Sequence, residues 1–191
     1  NYDDVTKQDV QIESTVNVSL PGTYEVIYTL CDKAKHKTIS ILKVQVMDLT
    51  APTIIATDIT VKVFAQVPYL ADYVVITDDI TEYDDLKITY TGKINMDEIG
   101  HYQIIITATD QSSNKATKTI KVSVVDDEAP IMIQKKEIII QDFKKVIYKD
   151  YFDITDNYDK KLNVYYDDSQ VDYEKIGTYP LMITAIDSSD N

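Results

Sequence analysis

The tripeptide Gly-x-Tyr occurs three times, as Gly22-Thr23-Tyr24, Gly100-His101-Tyr102 and Gly177-Thr178-Tyr179, at intervals of 78 and 77 residues. A period of that length marks one supersecondary unit copied in tandem, and it constrains the fold more than any compositional figure. Other markers keep the same phase. Ala51-Pro52 returns as Ala129-Pro130, and Asp32, Asp110 and Asp187 each follow the repeat glycine by ten residues. The run from Ile106 to Asn114 returns between Ile183 and Asn191. Residues 49–127 are thereby read as one complete repeat. Residues 1–48 match the C-terminal portion of a repeat, and 128–191 match a repeat without its last strand. Asn1-Tyr2-Asp3 aligns with Asn157-Tyr158-Asp159, so the chain reads as a piece of a longer array.

Inside each copy the side chains alternate. Tyr102, Ile104, Ile106 and Ala108 recur with a period of two, as do Tyr24, Val26, Tyr28 and Leu30, and Tyr179, Leu181, Ile183 and Ala185. Such alternation commits one face of a strand to a core. Ile120, Val122 and Val124 form the next strand, beyond a tight turn at Asp110 to Asn114. Shorter apolar pieces precede them at Thr53–Ala56, Ile59–Phe64, Tyr73–Ile76, Leu86–Tyr90 and around Ile94. Seven short strands in about 78 residues predict an all-β fold of tandem immunoglobulin-like sandwiches arranged end to end.

In such a domain the glycine and tyrosine fall where a tyrosine corner opens the sixth strand, two residues before a cysteine of the inter-sheet disulfide. Val26, Ile104 and Leu181 stand at that cysteine position, so aliphatic packing replaces the bridge. Cys31 is the only cysteine, and no disulfide can form within the chain. His36 stands where Asn114 and Asn191 stand elsewhere and reads as a turn residue tolerant of left-handed backbone, not as the base of a thiol nucleophile.

The motif Thr77-Asp78-Asp79, Leu86, Gly100-His101-Tyr102 and Thr109-Asp110-Gln111-Ser112-Ser113-Asn114 resembles the bacterial immunoglobulin-like repeats of Gram-positive surface proteins. The stretch from Leu20 to Asp32 is close to their GTYTVTYTVTDSSGN pattern, and hyalin-repeat modules share the layout. The resemblance covers essentially the whole chain. It implies a cell-surface or secreted location, a stalk or adhesin context, and no catalytic residues.

Charge narrows the partners. The formal net charge is -13, and all 19 basic residues are lysine. Without arginine the chain lacks the bidentate fork used on phosphate and guanine, and its acidic surface repels nucleic acid. No stretch is apolar and long enough to span a membrane.

The acids gather at chosen points of the repeat. The loop after the second strand holds Asp78 and Asp79, with Asp153, Asp156 and Asp159 around it in the next copy. The turn after the tyrosine strand holds Asp110 or Asp187, and the linkers hold Asp48 and Asp126-Asp127. In an immunoglobulin sandwich these loops share one end of the domain, which makes all ten candidate ligands for an interdomain Ca²⁺, a hard cation that takes six to eight oxygens. The plainer reading is that aspartate favours turns and keeps a long array soluble. Neighbouring carboxylates such as Asp78 and Asp79 do not face each other across a sugar as a glycosidase requires. Tyr2, Tyr83, Tyr158 and the pair Tyr165-Tyr166 are candidate sugar platforms, but adjacent strand residues point to opposite faces, and half-buried strand tyrosines are the plainer reading.

These features predict a non-catalytic spacer or stalk of a bacterial cell-surface or secreted protein, supporting adhesion, whose first partners are the neighbouring repeats. The alternatives are an adhesin module that binds a host glycan or protein, a filament subunit that self-associates by β-strand donation, and an accessory domain of a secreted glycoside hydrolase.

Overall fold

The computed structural model describes residues 10–141 and 144–191. The Asn1-Tyr2-Asp3 copy of the acidic loop, and Tyr2 as an aromatic platform, lie outside the described residues. Within them the chain is all-β, apart from short 3-10 turns at Leu70–Tyr73, Tyr83–Asp85 and Tyr148–Tyr151. No helix among the described residues is long and apolar enough to cross a membrane.

The first copy contributes β1 (Val10–Ser14), β2 (Gly22–Cys31) and β3 (Lys37–Val46), an antiparallel sheet in the order β1-β2-β3. The middle copy contributes β4 (Thr53–Ala56), β5 (Ile59–Lys62), β6 (Val74–Thr77), β7 (Lys87–Thr91), β8 (Gly100–Thr109) and β9 (Lys115–Val125). There β4 pairs with β6, and the remaining strands form a sheet in the order β5-β9-β8-β7, with β5 parallel to β9. The third copy contributes β10 (Ile131–Gln134), β11 (Phe152–Thr155), β12 (Asn163–Asp167) and β13 (Met182–Ile186), paired β10-β11 and β12-β13.

Register repeats along with sequence. Val10 pairs with Leu30, Ile88 with Ala108 and Val164 with Ala185, which are equivalent positions of the three copies. A one-residue slip would turn every apolar side chain to the wrong face, so the shared register reflects the shared alternation.

Two compact units form along the chain. Among the described residues, one takes in those up to Thr57, Tyr69–Gly92 and Gln103–Ile120; the other takes in Asp58–Pro68, Lys93–Tyr102 and those from Lys121 onward. In the first, Ile104, Ile106, Ala108 and Ile120 are buried, together with Ile76 and Leu86. Ile39, Ile41 and Leu42 of β3 stay more than half exposed, so the first sheet buries little beyond Val26. In the second unit Val63, Met96 and Val124 form a cluster against which Val61, Ile94, Ile99, Tyr102 and Tyr158 pack. Tyr158 also lies 6.0 Å, centroid to centroid, from Phe64.

The Gly-x-Tyr motif forms a tyrosine corner in each copy. The hydroxyls of Tyr24, Tyr102 and Tyr179 donate to the carbonyls of Leu20, Glu98 and Lys175, at 2.7, 2.9 and 3.1 Å. The glycine leaves room for the ring: a Cβ at Gly177 would sit 3.1 Å from atoms of the Tyr179 ring. Tyr165 is exposed and Tyr166 half-buried, as alternation along β12 requires.

One expected strand is missing. The middle copy has six strands where seven were expected, because the piece around Ile94 forms no strand and leads into a turn at Met96–Asp97. Asn95 explains this. Its Oδ1 accepts from the Asp97 N–H at 3.2 Å and its Nδ2 donates to Glu98 at 3.3 Å, and such local bonds compete with a sheet ladder. Ile94 therefore packs as a loop residue. The left-handed positions also differ from expectation. Lys35, Ser113 and Asp190 take positive φ, each one residue before His36, Asn114 and Asn191.

Candidate metal centres

Each repeat ends strands at three places where an aspartate follows. Asp48 and Asp126 follow β3 and β9, Asp78 and Asp156 follow β6 and β11, and Asp110 and Asp187 follow β8 and β13. The turn after the tyrosine strand is built the same way in all copies. Asp110 Oδ1 accepts from the Asn114 N–H at 2.7 Å, Asp187 Oδ1 from Asn191 N–H at 2.8 Å, and Asp32 Oδ1 from His36 N–H at 2.7 Å. The His36 N–H and ring together hold the Asp32 carboxyl below the usual carboxylate range.

This turn also grips the linker. Asn114 Nδ2 donates to the Asp48 carbonyl at 3.2 Å, and Asn191 Nδ2 donates to the Asp126 carbonyl at 3.1 Å. The linker aspartates are thus held at the turn by their own backbone, with Asp48 8% and Asp126 6% exposed.

Carboxylates converge there. Asp48, Asp78 and Asp110 each bring an oxygen within 4.8 Å of the other two, and so do Asp126, Asp156 and Asp159. The bonding is one-sided. Asp48 Oδ1 accepts from the Thr50 N–H and Asp126 Oδ1 from the Glu128 N–H. Asp78 Oδ1 accepts from the N–H groups of Ile80 and Thr81, and Asp156 Oδ1 from those of Tyr158 and Asp159. The opposite oxygens, Oδ2 of Asp48, Asp78, Asp126, Asp156 and Asp187, are buried with no hydrogen-bond partner. Burial pushes the Asp187 carboxyl up, but hydrogen bonds from Asn191 and the Ser189 N–H outweigh it and leave it below the usual range.

The two groups differ at one position. Asp159 occupies the place of Thr81: Thr81 Oγ1 accepts from the Gln111 N–H at 3.4 Å, while Asp159 Oδ2 accepts from the Ser188 N–H at 2.8 Å. The second group is therefore assembled with Asp159, and Asp187 lies at the turn position that Asp110 fills in the first.

Six of the ten sequence candidates come together in these groups, and Asp187 is buried at the equivalent turn. The remaining three point elsewhere. Asp79 is exposed, Asp127 pairs with Lys62 at 2.9 Å and Asp153 with Lys135 at 3.1 Å. The sequence reading missed Thr81 and the linker grip of Asn114 and Asn191. The recurrence of a turn asparagine in phase with a linker aspartate carries that signal.

No family model matches the chain. It is 30% identical over 132 residues to the pesticidal crystal protein Cry22Aa of Bacillus thuringiensis, a match that takes in 65% of this chain and 18% of that protein. The chain thus spans less than a fifth of the length of that relative. Among solved structures it is similar to the M60 catalytic domain with the CBM51-1 and CBM51-2 domains of Clostridium perfringens ZmpB. That likeness has 21% identity and a TM-score of 0.31, over 60% of this chain and 11% of the other. It is also similar to the protocadherin gammaB7 EC3-6 cis-dimer, with 15% identity and a TM-score of 0.36 over 69% and 41% of the two chains.

A separate network lies in the third copy. Lys145 Nζ sits 2.5 Å from Asp168 Oδ2, to which the Tyr173 and Tyr148 hydroxyls also donate. Lys145 and then Tyr173 hold the Asp168 carboxyl down at about 2, while burial and Asp168 push the Tyr173 hydroxyl up. Tyr148 and Tyr173 also line a cavity of about 540 Å³ with Ile138, Ile140, Tyr179 and Leu181.

Proposed function

We propose that the chain is a non-catalytic run of immunoglobulin-like repeats, a spacer or stalk in a bacterial cell-surface or secreted protein that supports adhesion. The observation that carries this reading is the repeated grip of a turn asparagine on the preceding linker, Asn114 on Asp48 and Asn191 on Asp126. A spacer needs the same connection made at every repeat, and this bond is made twice with the same atoms. The match to a short part of a much longer bacterial protein supports a module that serves a larger chain.

The test is binding of the 191-residue chain to immobilised glycans and host extracellular proteins, with its size measured in parallel. A spacer gives no saturable binding and a monomer. Saturable binding would move the reading to an adhesin module or to the accessory domain of a secreted glycoside hydrolase. Strand donation between copies of the chain is the second reading. Concentration-dependent polymers would support it.

A further inference from the structure

We propose that Asp48, Asp78 and Asp110 bind one calcium ion, that Asp126, Asp156 and Asp159 bind a second, and that the second site is the tighter. The inference goes beyond the spacer reading and does not need it. Acidic residues cluster on many surfaces without a ligand, so clustering alone decides nothing. The unpartnered oxygens decide it. Asp48 and Asp126 are more than nine-tenths buried, and each leaves Oδ2 without a donor among two other carboxylates. A buried carboxylate oxygen lacking a donor is costly, and like charges beside it raise the cost.

The placement is also directional. Asp48, Asp78, Asp126 and Asp156 each give Oδ1 to backbone N–H groups, which fixes the carboxylate plane, and leave Oδ2 bare. That is how a ligand is held in place before its ion arrives, and the arrangement recurs one repeat later with equivalent donors.

Ligand chemistry selects the ion. Each group contains only carboxylates, with no histidine or thiolate, so it suits a hard cation and not zinc or copper. Calcium bonds its oxygens at about 2.3–2.6 Å, so two ligands on opposite sides of one ion lie about 4.6–5.2 Å apart. Oxygens within 4.8 Å of each other fit that span. Waters and turn carbonyls complete a coordination of six to eight.

Two features make the second site tighter. Asp126, Asp156 and Asp187 match Asp48, Asp78 and Asp110 position for position, so Asp159 is a charge beyond those three where the first site has Thr81, and calcium affinity rises with charge at the site. The loop carrying Asp156 and Asp159 is anchored by Tyr158 in the cluster of Val63, Met96 and Val124, whereas Ile80 at the matching position is 41% exposed. A ligand loop fixed in advance loses less entropy on binding.

The test uses the 191-residue chain stripped with EGTA, titrated with calcium chloride by calorimetry and melted with and without about 5 mM calcium, above the range of extracellular calcium modules. Two binding events are expected, with affinities about tenfold apart, and a higher melting temperature with calcium. Asp48→Asn should weaken the weaker event about tenfold and Asp126→Asn the tighter one by as much. Each should leave the calcium-free fold as stable as before or more so, because a like charge is removed. Superposable melting curves with and without calcium would overturn the proposal. An equal shift from magnesium at the same concentration would overturn the choice of ion. A loss of stability identical with and without calcium would show that the carboxylate is only structural.

Discussion

The two acidic groups share a scaffold and differ in their equipment. Both are built from a linker aspartate, a loop aspartate and a turn whose asparagine holds the linker carbonyl. Around that common frame the first group has Thr81 and the exposed Ile80, while the second has Asp159 and the anchored Tyr158. The frame belongs to the repeat, and the strength of the site belongs to two neighbouring loop residues. A repeat array can thereby hold one geometry and vary affinity from junction to junction.

The comparison is broken most directly by removing the bare oxygens. Asp126→Asn combined with Asp156→Asn should weaken calcium binding at the second group by about 100-fold, leaving calorimetry to report the first group alone. If the tighter event survives, the groups have been ranked in the wrong order. Tyr158→Ala should cost about 2 kcal/mol of stability by exposing the cluster of Val63, Met96 and Val124, and should bring the second affinity towards the first without touching a ligand. An unchanged affinity would assign the whole difference to charge.

Asp159→Thr sharpens the same point from the other side. It gives the second group the first group's residue, and about a tenfold loss in affinity, or ~1.4 kcal/mol, is expected. Asn114→Ala and Asn191→Ala test the frame. Asn191→Ala deletes the hydrogen bond to the Asp126 carbonyl and should cost about 1 kcal/mol in denaturant unfolding, while Asn114→Ala deletes the bond to the Asp48 carbonyl and one to Asp110 Oδ2 and should cost about 2 kcal/mol. No loss of stability in either variant would mean that the linker grip is not part of the frame.

The smallest effect is in acid. The Asp187 carboxyl titrates below its ordinary value near 3.8, so its contribution is complete above that pH and disappears as pH falls through the lowered value. Melting temperature should therefore drop more steeply below about pH 4 for the parent chain than for Asp187→Asn. The Lys145–Asp168 pair behaves likewise down to about pH 2, and Asp168→Asn separates the two contributions.

Much of this molecule could be read from its residues alone. The period, the strand alternation and the tyrosine corner are local consequences of spacing, and the hydroxyl bonds of Tyr24, Tyr102 and Tyr179 are made where that spacing places them. The irregular stretch at Ile94 was less legible, because Asn95 satisfies backbone and side-chain groups locally and no periodicity announces that choice. The acids were legible only as a pool. Asp127 and Asp153 look as apt as Asp126 and Asp156 in sequence, yet they reach lysines instead.

Sequence by itself determined a repeating β chain whose apolar faces and tyrosine corners recur every 77 or 78 residues, since those depend on neighbours a few positions away. Only the tertiary structure decided which carboxylates meet. Asp48, Asp78 and Asp110 are about thirty residues apart in sequence and come from the ends of three different strands. Strand period fixes the face on which a residue lies, but the path of the loop beyond the strand's end fixes where its carboxylate points.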